Sequence, residues 1–378
     1  MHAMINTVTR ARAFLALVAV VLNAFLASAV ADNVPGTTAA EAGRILVPAT
    51  DPRIQYSDAL NRRESPDGAV YFDRVIDGPD RGFRWDSPGA RVRWRTDSEE
   101  VRVKLRYSSR HLSSSRNSVG SYRVGGRSEP GWTFDRPAAG DVLLDLILPV
   151  PVGGAWHDYE VILPYADSVD VVGVELRSGA GLVPPGARAD VRYVAAGDSV
   201  THGFTADDVR GTYPFLVAER NGWEQVNLGI GGRGTRGADG AFLAEIDADV
   251  VSVLIGVNDW QAGADLATFR MNYEQLVEGV CSGGSTGAVA LITPLWVPPT
   301  WRPAQARHPL EAYREIIREI VAERADPRLL LVEGPGLIPH DPAYFDAIAV
   351  HPNQSGFARM AAKLAPLLAQ HHARVRAL

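Results

Sequence analysis

The hydrophobic period of this chain changes near residue 190, and that change limits the possible folds more than any other feature. Between about 45 and 185, apolar residues recur at every second position, as in runs 70–76, 91–95, 101–107 and 171–176. Successive side chains of a strand point to opposite faces, so such runs put one face on a core and the other in water. Turn sequences such as Asp77-Gly78-Pro79 and Ser87-Pro88-Gly89 separate them, with no amphipathic helix between. A β-sandwich is the architecture expected for residues 45–187. From Asp190 onward, strand-like runs at 191–195, 224–228, 250–254, 289–292 and 329–332 alternate with helical patterns near 213–220, 266–280, 310–324 and 356–371. That alternation predicts an α/β domain over 188–378, a parallel sheet in a three-layer arrangement with helices on both faces. Ligands bind at the carboxyl ends of strands in such sheets.

At 378 residues the chain is long enough for two cores. Its formal charge of −6 gives no electrostatic footprint for nucleic acid, and no nucleic-acid partner is expected. The first 31 residues read as a secretory signal peptide. Arg10 and Arg12 precede an apolar stretch from Ala13 to Leu26, and Ala27-Ser28-Ala29 and Ala29-Val30-Ala31 offer small-residue cleavage sites. The alternative, an uncleaved anchor, asks for roughly 20 strongly apolar residues, more than this alanine-rich stretch supplies. The expected mature protein is therefore secreted or periplasmic and free of the membrane. Residues 32–44 are small and polar, as in a flexible leader. Cys281, the only cysteine, reads as a small core residue, and the nine histidines show no metal-ligand spacing, so neither metal nor cofactor is expected.

Four short motifs sit where the α/β pattern ends a strand or begins a helix. Gly197-Asp198-Ser199 follows the first strand, and a serine in such a turn is a candidate nucleophile when a base and oxyanion donors lie within reach. The next strand ends in Asn227-Leu228-Gly229-Ile230-Gly231-Gly232-Arg233-Gly234, where Gly232 could offer its N–H to a reacting centre that a side chain would obstruct. A third strand leads into Gly256-Val257-Asn258-Asp259, whose Asn258 amide is a neutral donor suited to developing negative charge. Last comes His351-Pro352-Asn353 before the final helix, and a neutral His is the usual base for a serine hydroxyl. Each motif alone is weak, since turns use these residue types constantly. Their order is what carries weight.

In that order the motifs resemble the SGNH, or GDSL-type, hydrolases, whose blocks are named for Ser, Gly, Asn and His. The resemblance covers roughly the C-terminal half and implies a flavodoxin-like hydrolase domain. It implies that Ser199 attacks an acyl carbonyl and that His351 shuttles the proton. The N–H groups of Ser199 and Gly232 and the Asn258 amide would form the oxyanion hole. One position departs from the family pattern: three residues before the histidine, where an Asp is usual, stands Ile348. Asp346, five residues before His351, is the nearest acid and the candidate third member, with a Ser-His dyad as the alternative.

A sandwich followed by such a hydrolase is similar in layout to the family-2 carbohydrate esterases, including acetylxylan-esterase-like enzymes, in which the sandwich can be jelly-roll-like. That implies a secreted carboxylic ester hydrolase acting on O-acetyl groups of carbohydrates. A general short-chain esterase or lipase and a catalytically lapsed glycan-binding protein stay open beside it. Trp260, Trp296 and His202 are candidate substrate contacts, since flat aromatic faces suit sugar rings. Arg233 and Arg236 could meet an acidic sugar.

Overall fold

The computed structural model describes residues 43–378 apart from 75–81, 112–118, 129–130, 134–139, 152–154, 188, 283–285 and 348–349. The expected signal peptide, nearly all of the leader and Ile348 lie outside the described residues.

Among the described residues, twelve strands precede Asp190: β1 (Arg44–Pro48), β2 (Gln55–Ser57), β3 (Arg62–Glu64), β4 (Val70–Phe72), β5 (Arg91–Thr96), β6 (Val101–Ser108), β7 (Ser121–Val124), β8 (Arg127–Ser128), β9 (Val142–Leu148), β10 (His157–Ile162), β11 (Ser168–Arg177) and β12 (Leu182–Val183). They form two sheets, ordered β3-β4-β11-β6-β9 with β1 added on β11, and β12-β5-β10-β7-β8 with β2 added on β5. Pairing is antiparallel at the described registers, such as β6 on β11 and β5 on β10. The period-two pattern explains the packing. On β6, Val101, Val103, Leu105 and Tyr107 are buried while Arg102, Lys104 and Arg106 reach outward. Those outward cations face acids on neighbouring strands, as in Arg106–Asp170 at 2.7 Å and Lys104–Asp145 at 2.6 Å. Inside, Trp94 of β5 stacks on Tyr159 of β10 at 5.5 Å. This is the β-sandwich that the alternation predicts.

The remaining elements alternate as expected: β13 (Arg192–Gly197), α1 (Ser199–His202), α2 (Tyr213–Asn221), β14 (Glu224–Gly229), α3 (Ala238–Ala244), β15 (Ala248–Leu254), α4 (Val257–Ala262), α5 (Leu266–Ser282), β16 (Thr286–Ile292), α6 (Leu310–Arg324), β17 (Leu329–Val332) and α7 (Gln354–Val375). The sheet is parallel and ordered β14-β13-β15-β16-β17, a flavodoxin-like arrangement. Its strands read as continuous apolar runs because both faces are covered. On β15, Val251 and Val253 pack with Phe269, Leu276 and Ile317 of α5 and α6, whereas Val250 and Leu254 pack with Phe215 of α2 and Phe357 and Leu364 of α7. The strand order reverses at β13, between β14 and β15, and in open α/β sheets such a switch point is where a ligand crevice lies beyond the carboxyl ends of the strands.

Sandwich and α/β layers meet closely. Arg91 of β5, mostly buried, pairs with Glu160 of β10 at 3.0 Å and with Glu219 of α2 at 2.8 Å. Asp58 accepts the Gln225 N–H of β14 at 2.8 Å, and the Gln225 side chain donates to the Pro88 carbonyl at 2.9 Å. Cys281 is buried, and burial pushes its thiol pKa up. Among the described residues no helix is long and apolar enough to cross a membrane.

Candidate active site

Gly197 ends β13 and the chain turns at once into α1, a four-residue helix. The Asp198 side chain caps it, accepting the Val200 N–H at 2.9 Å and leaving Ser199 as the first helical residue. The first N–H groups of a helix have no partner within it. A short β13–α1 turn thus sets both the Ser199 hydroxyl and its N–H at the crevice. Asp198 is fully buried, and burial pushes its pKa up to about 7 against the Val200 hydrogen bond and the nearby His351.

The Ser199 Oγ lies 2.8 Å from His351 Nε2. On the far side of the ring, His351 Nδ1 lies 3.1 Å from Asp346 Oδ2. The Asp346 carboxylate also accepts the Val350 N–H at 3.1 Å and the His351 N–H at 3.3 Å, while the Asp346 N–H donates to the His351 carbonyl at 2.8 Å. These bonds hold Asp346 face to face with Val350 and His351. A spacing of five instead of three is thereby compatible with a carboxylate on the ring nitrogen. Burial opposes the Asp346 charge, but the hydrogen bond from His351 and the two backbone N–H groups hold its pKa below the usual carboxylate value. An ionised acid behind the ring can fix the Nδ1–H tautomer and stabilise an imidazolium.

Gly232 lies in the turn after β14 at φ +78°, a left-handed conformation that favours glycine. Two side chains of α4 hold this turn. Asn258 donates through Nδ2 to the Arg233 carbonyl at 2.9 Å, and Asp259 accepts from the Thr235 N–H and hydroxyl, both at 2.9 Å. Asn227 of β14 ties it from below, donating to the Thr201 carbonyl at 2.8 Å while accepting the Gly229 N–H at 2.9 Å. Asp259 and Asn227 escaped the reading of the motifs, although both stand inside them. Their role depends on partners that only the fold brings near.

Three expected substrate contacts are corrected by burial. His202 is fully buried, its Nε2 2.5 Å from the Tyr165 carbonyl and 3.1 Å from an Asp86 oxygen, so it meets no substrate. Trp260 is 3% exposed and gives its indole N–H to the His308 carbonyl at 3.0 Å. A tryptophan so enclosed packs the loops. Arg233 is held by Asp239, with Nε at 2.7 Å, and is mostly buried. Trp296 differs. Partly exposed, it stacks on His340 at 5.3 Å and touches Phe345, the neighbour of Asp346. Among the described residues no cluster of three or more His, Cys, Asp or Glu side chains is arranged to hold a metal ion.

Residues 195–359 match the model of the GDSL-like lipase/acylhydrolase family. None of the curated proteins matches the chain. Among solved structures, the salicylyl-acyltransferase SsfX3 from a tetracycline biosynthetic pathway is similar over 86% of this chain and 97% of its own, with 19% identity and a TM-score of 0.72. A family two carbohydrate esterase from Cellvibrio japonicus is similar over 87% of this chain and 98% of its own, with 18% identity and a TM-score of 0.66. Another from Clostridium thermocellum, solved with cellohexaose, covers 87% and 98% with 15% identity and a TM-score of 0.60. These likenesses span both the sandwich and the α/β layers and show the fold. Residues 195–359 are thus similar to the GDSL-like lipase/acylhydrolases, and the solved structures share the fold of the whole two-layer unit.

Proposed function

We propose that this protein is an exported serine esterase that removes short acyl groups, above all O-acetyl, from carbohydrates, with Ser199, His351 and Asp346 as its catalytic triad. The observation that carries this reading is the unbroken chain from Ser199 Oγ to His351 Nε2 at 2.8 Å and from His351 Nδ1 to Asp346 Oδ2 at 3.1 Å. In the reaction, His351 Nε2 takes the Ser199 proton as Oγ bonds to the acyl carbon. The carbonyl electron pair moves onto oxygen, facing the N–H groups of Ser199 and Gly232 and the free amide hydrogen of Asn258. His351 returns the proton to the sugar hydroxyl as the ester bond breaks, leaving an acyl-serine. Water, deprotonated by the same ring, releases acetate. Asp346 stays ionised throughout and stabilises the imidazolium.

A short acyl group fits the absence of a large apolar lid segment from the sequence, and a polymer substrate fits the signal-peptide reading of residues 1–31. Carbohydrate is supported by the family two esterases among the similar structures, one with cellohexaose. Trp296 is the side chain we assign to the sugar, since Trp260 and His202 are enclosed.

The experiment is acetate release from an aryl acetate and from acetylated xylan, beside aryl esters of longer chain. Loss in both Ser199→Ala and Asp346→Ala, with folding intact, supports the triad; the acid alone should cost roughly 10³–10⁴ in kcat. Retention of activity in Asp346→Ala would make the enzyme a Ser-His dyad. Preference for longer aryl esters over acetylated glycan would favour a general esterase, and an inert parent protein would favour a binding role.

A further inference from the structure

Beneath α1 lies a column of rings and charges that the reaction does not use and to which the sandwich contributes half. Asp86, between β4 and β5, is fully buried. One of its oxygens is 2.5 Å from His111 Nδ1, just beyond β6, and the other is 3.1 Å from His202 Nε2, the last residue of α1. Phe83 sets its ring edge-on to His111 at 4.8 Å and to His202 at 5.4 Å. His202 lies against Phe204 at 5.0 Å, and Phe204 lies against His351 at 5.9 Å. The column thus runs from the sandwich to the ring that serves Ser199. Arg74, also buried and also from the sandwich, donates to the Gly229 carbonyl at 2.7 Å, to the Asn227 carbonyl at 3.3 Å and to the Phe83 carbonyl. It therefore holds the end of β14, from which the Gly232 turn springs. A buried carboxylate is costly unless paired and hydrogen-bonded, and Asp86 meets a histidine on each side. Burial opposes its charge, yet His111 and His202 keep its pKa below the usual value, while burial depresses the pKa of His202.

We propose that Asp86 of the sandwich is a positioning residue for the α/β site: by holding His202 and His111 in one column it fixes α1 under Ser199 and the packing of Phe204 against His351. This rests on Ser199 being the nucleophile. The sandwich is then part of the catalytic unit and not a detachable module.

A fluorophosphonate probe tests this without knowledge of the substrate. Ser199 Oγ bonds to phosphorus, fluoride leaves with the P–F electron pair, and the serine proton passes to His351. The rate of labelling at low temperature, with folding followed by circular dichroism, reads the site directly. Asp86→Ala should label at least about tenfold more slowly, toward the ~10² that a 1 Å misplacement costs. Asp86→Asn, whose amide can still bridge two rings, should restore most of the rate. Val103→Ala, a cavity in the sandwich core away from the column, should lower the melting temperature and leave the rate unchanged. Labelling of Asp86→Ala at the wild-type rate, or slowing shared equally by Val103→Ala, overturns the proposal. Should Asp86→Ala not fold, His111→Ala carries the same expectation at smaller size, and a wild-type rate there overturns it. A wild-type protein that is not labelled overturns the nucleophile reading itself, a result distinct from all of these.

Discussion

Asn258 gives one amide hydrogen to the Arg233 carbonyl at 2.9 Å, and this bond decides what the other can do. An asparagine amide has two hydrogens in one plane, so fixing the first fixes the direction of the second. The side chain is thereby preorganised as a donor, and the Gly232 turn is pinned by the same contact. With Asn258 in the proposed role of oxyanion donor, Asn258→Ala should lower kcat roughly 10²–10³-fold with little change in KM, because such a donor acts mainly on the transition state. Steady-state kinetics on aryl acetate check this. An equal loss in kcat/KM with kcat unchanged would assign Asn258 to substrate binding instead. Asp198 shows the same economy at the other end of the site: a cap for α1 that burial keeps near pKa 7, beside an imidazole whose charge it would feel.

At the scale of elements, α1 and β14 press together so tightly that a Cβ on Gly229 would collide with the His202 backbone. Gly229→Ala must push α1 off the sheet or fail to fold. The expected cost is about 1–3 kcal/mol or more, from overpacking against backbone that cannot yield. Denaturant unfolding gives the stability, and fluorophosphonate labelling shows whether Ser199 moves with the helix. An alanine variant as stable and as reactive as the parent would refute the contact. The five parallel strands were legible because each is an apolar run between loops, and the four motifs because each closes a strand or opens a helix. Short elements were not. β8 and β12 have two residues each, and α3 is too brief to show a period. Asp346 was legible only as the nearest acid; its fitness depends on its bonds to the Val350 and His351 backbone, which spacing does not encode. His202 was misread for the same reason in reverse, since its partner Asp86 lies in the other half of the chain and only the fold unites them.

Over the whole molecule, the junction between sandwich and α/β layers carries charge that is buried rather than solvated, and this makes stability depend on pH. Asp58 is fully buried there, next to Arg91 at 3.2 Å and with its own N–H on Glu224 at 3.1 Å. Burial pushes its pKa up to about 6, opposed by Arg91 and by hydrogen bonds from Gln225 and Ser57, and aided by Glu224. In the unfolded chain the same carboxyl titrates near 4. Between these values the folded state holds a proton that the unfolded state has lost, so stability falls as pH rises. A shift of about two units corresponds to about 3 kcal/mol, spread over the window from pH ~4 to ~6. Acids held below their usual pKa, such as Asp346 and Asp86, have the opposite sign: their stabilisation is present above about pH 4 and lost below it. The two groups act in different windows and can be separated. Asp58→Asn should flatten the decline in unfolding free energy between pH 4 and 6 while leaving acid unfolding below pH 4 in place. Denaturant titrations at half-unit pH steps read both limbs. A variant whose slope above pH 4 matches the parent would place the pH dependence on some other buried group of the junction.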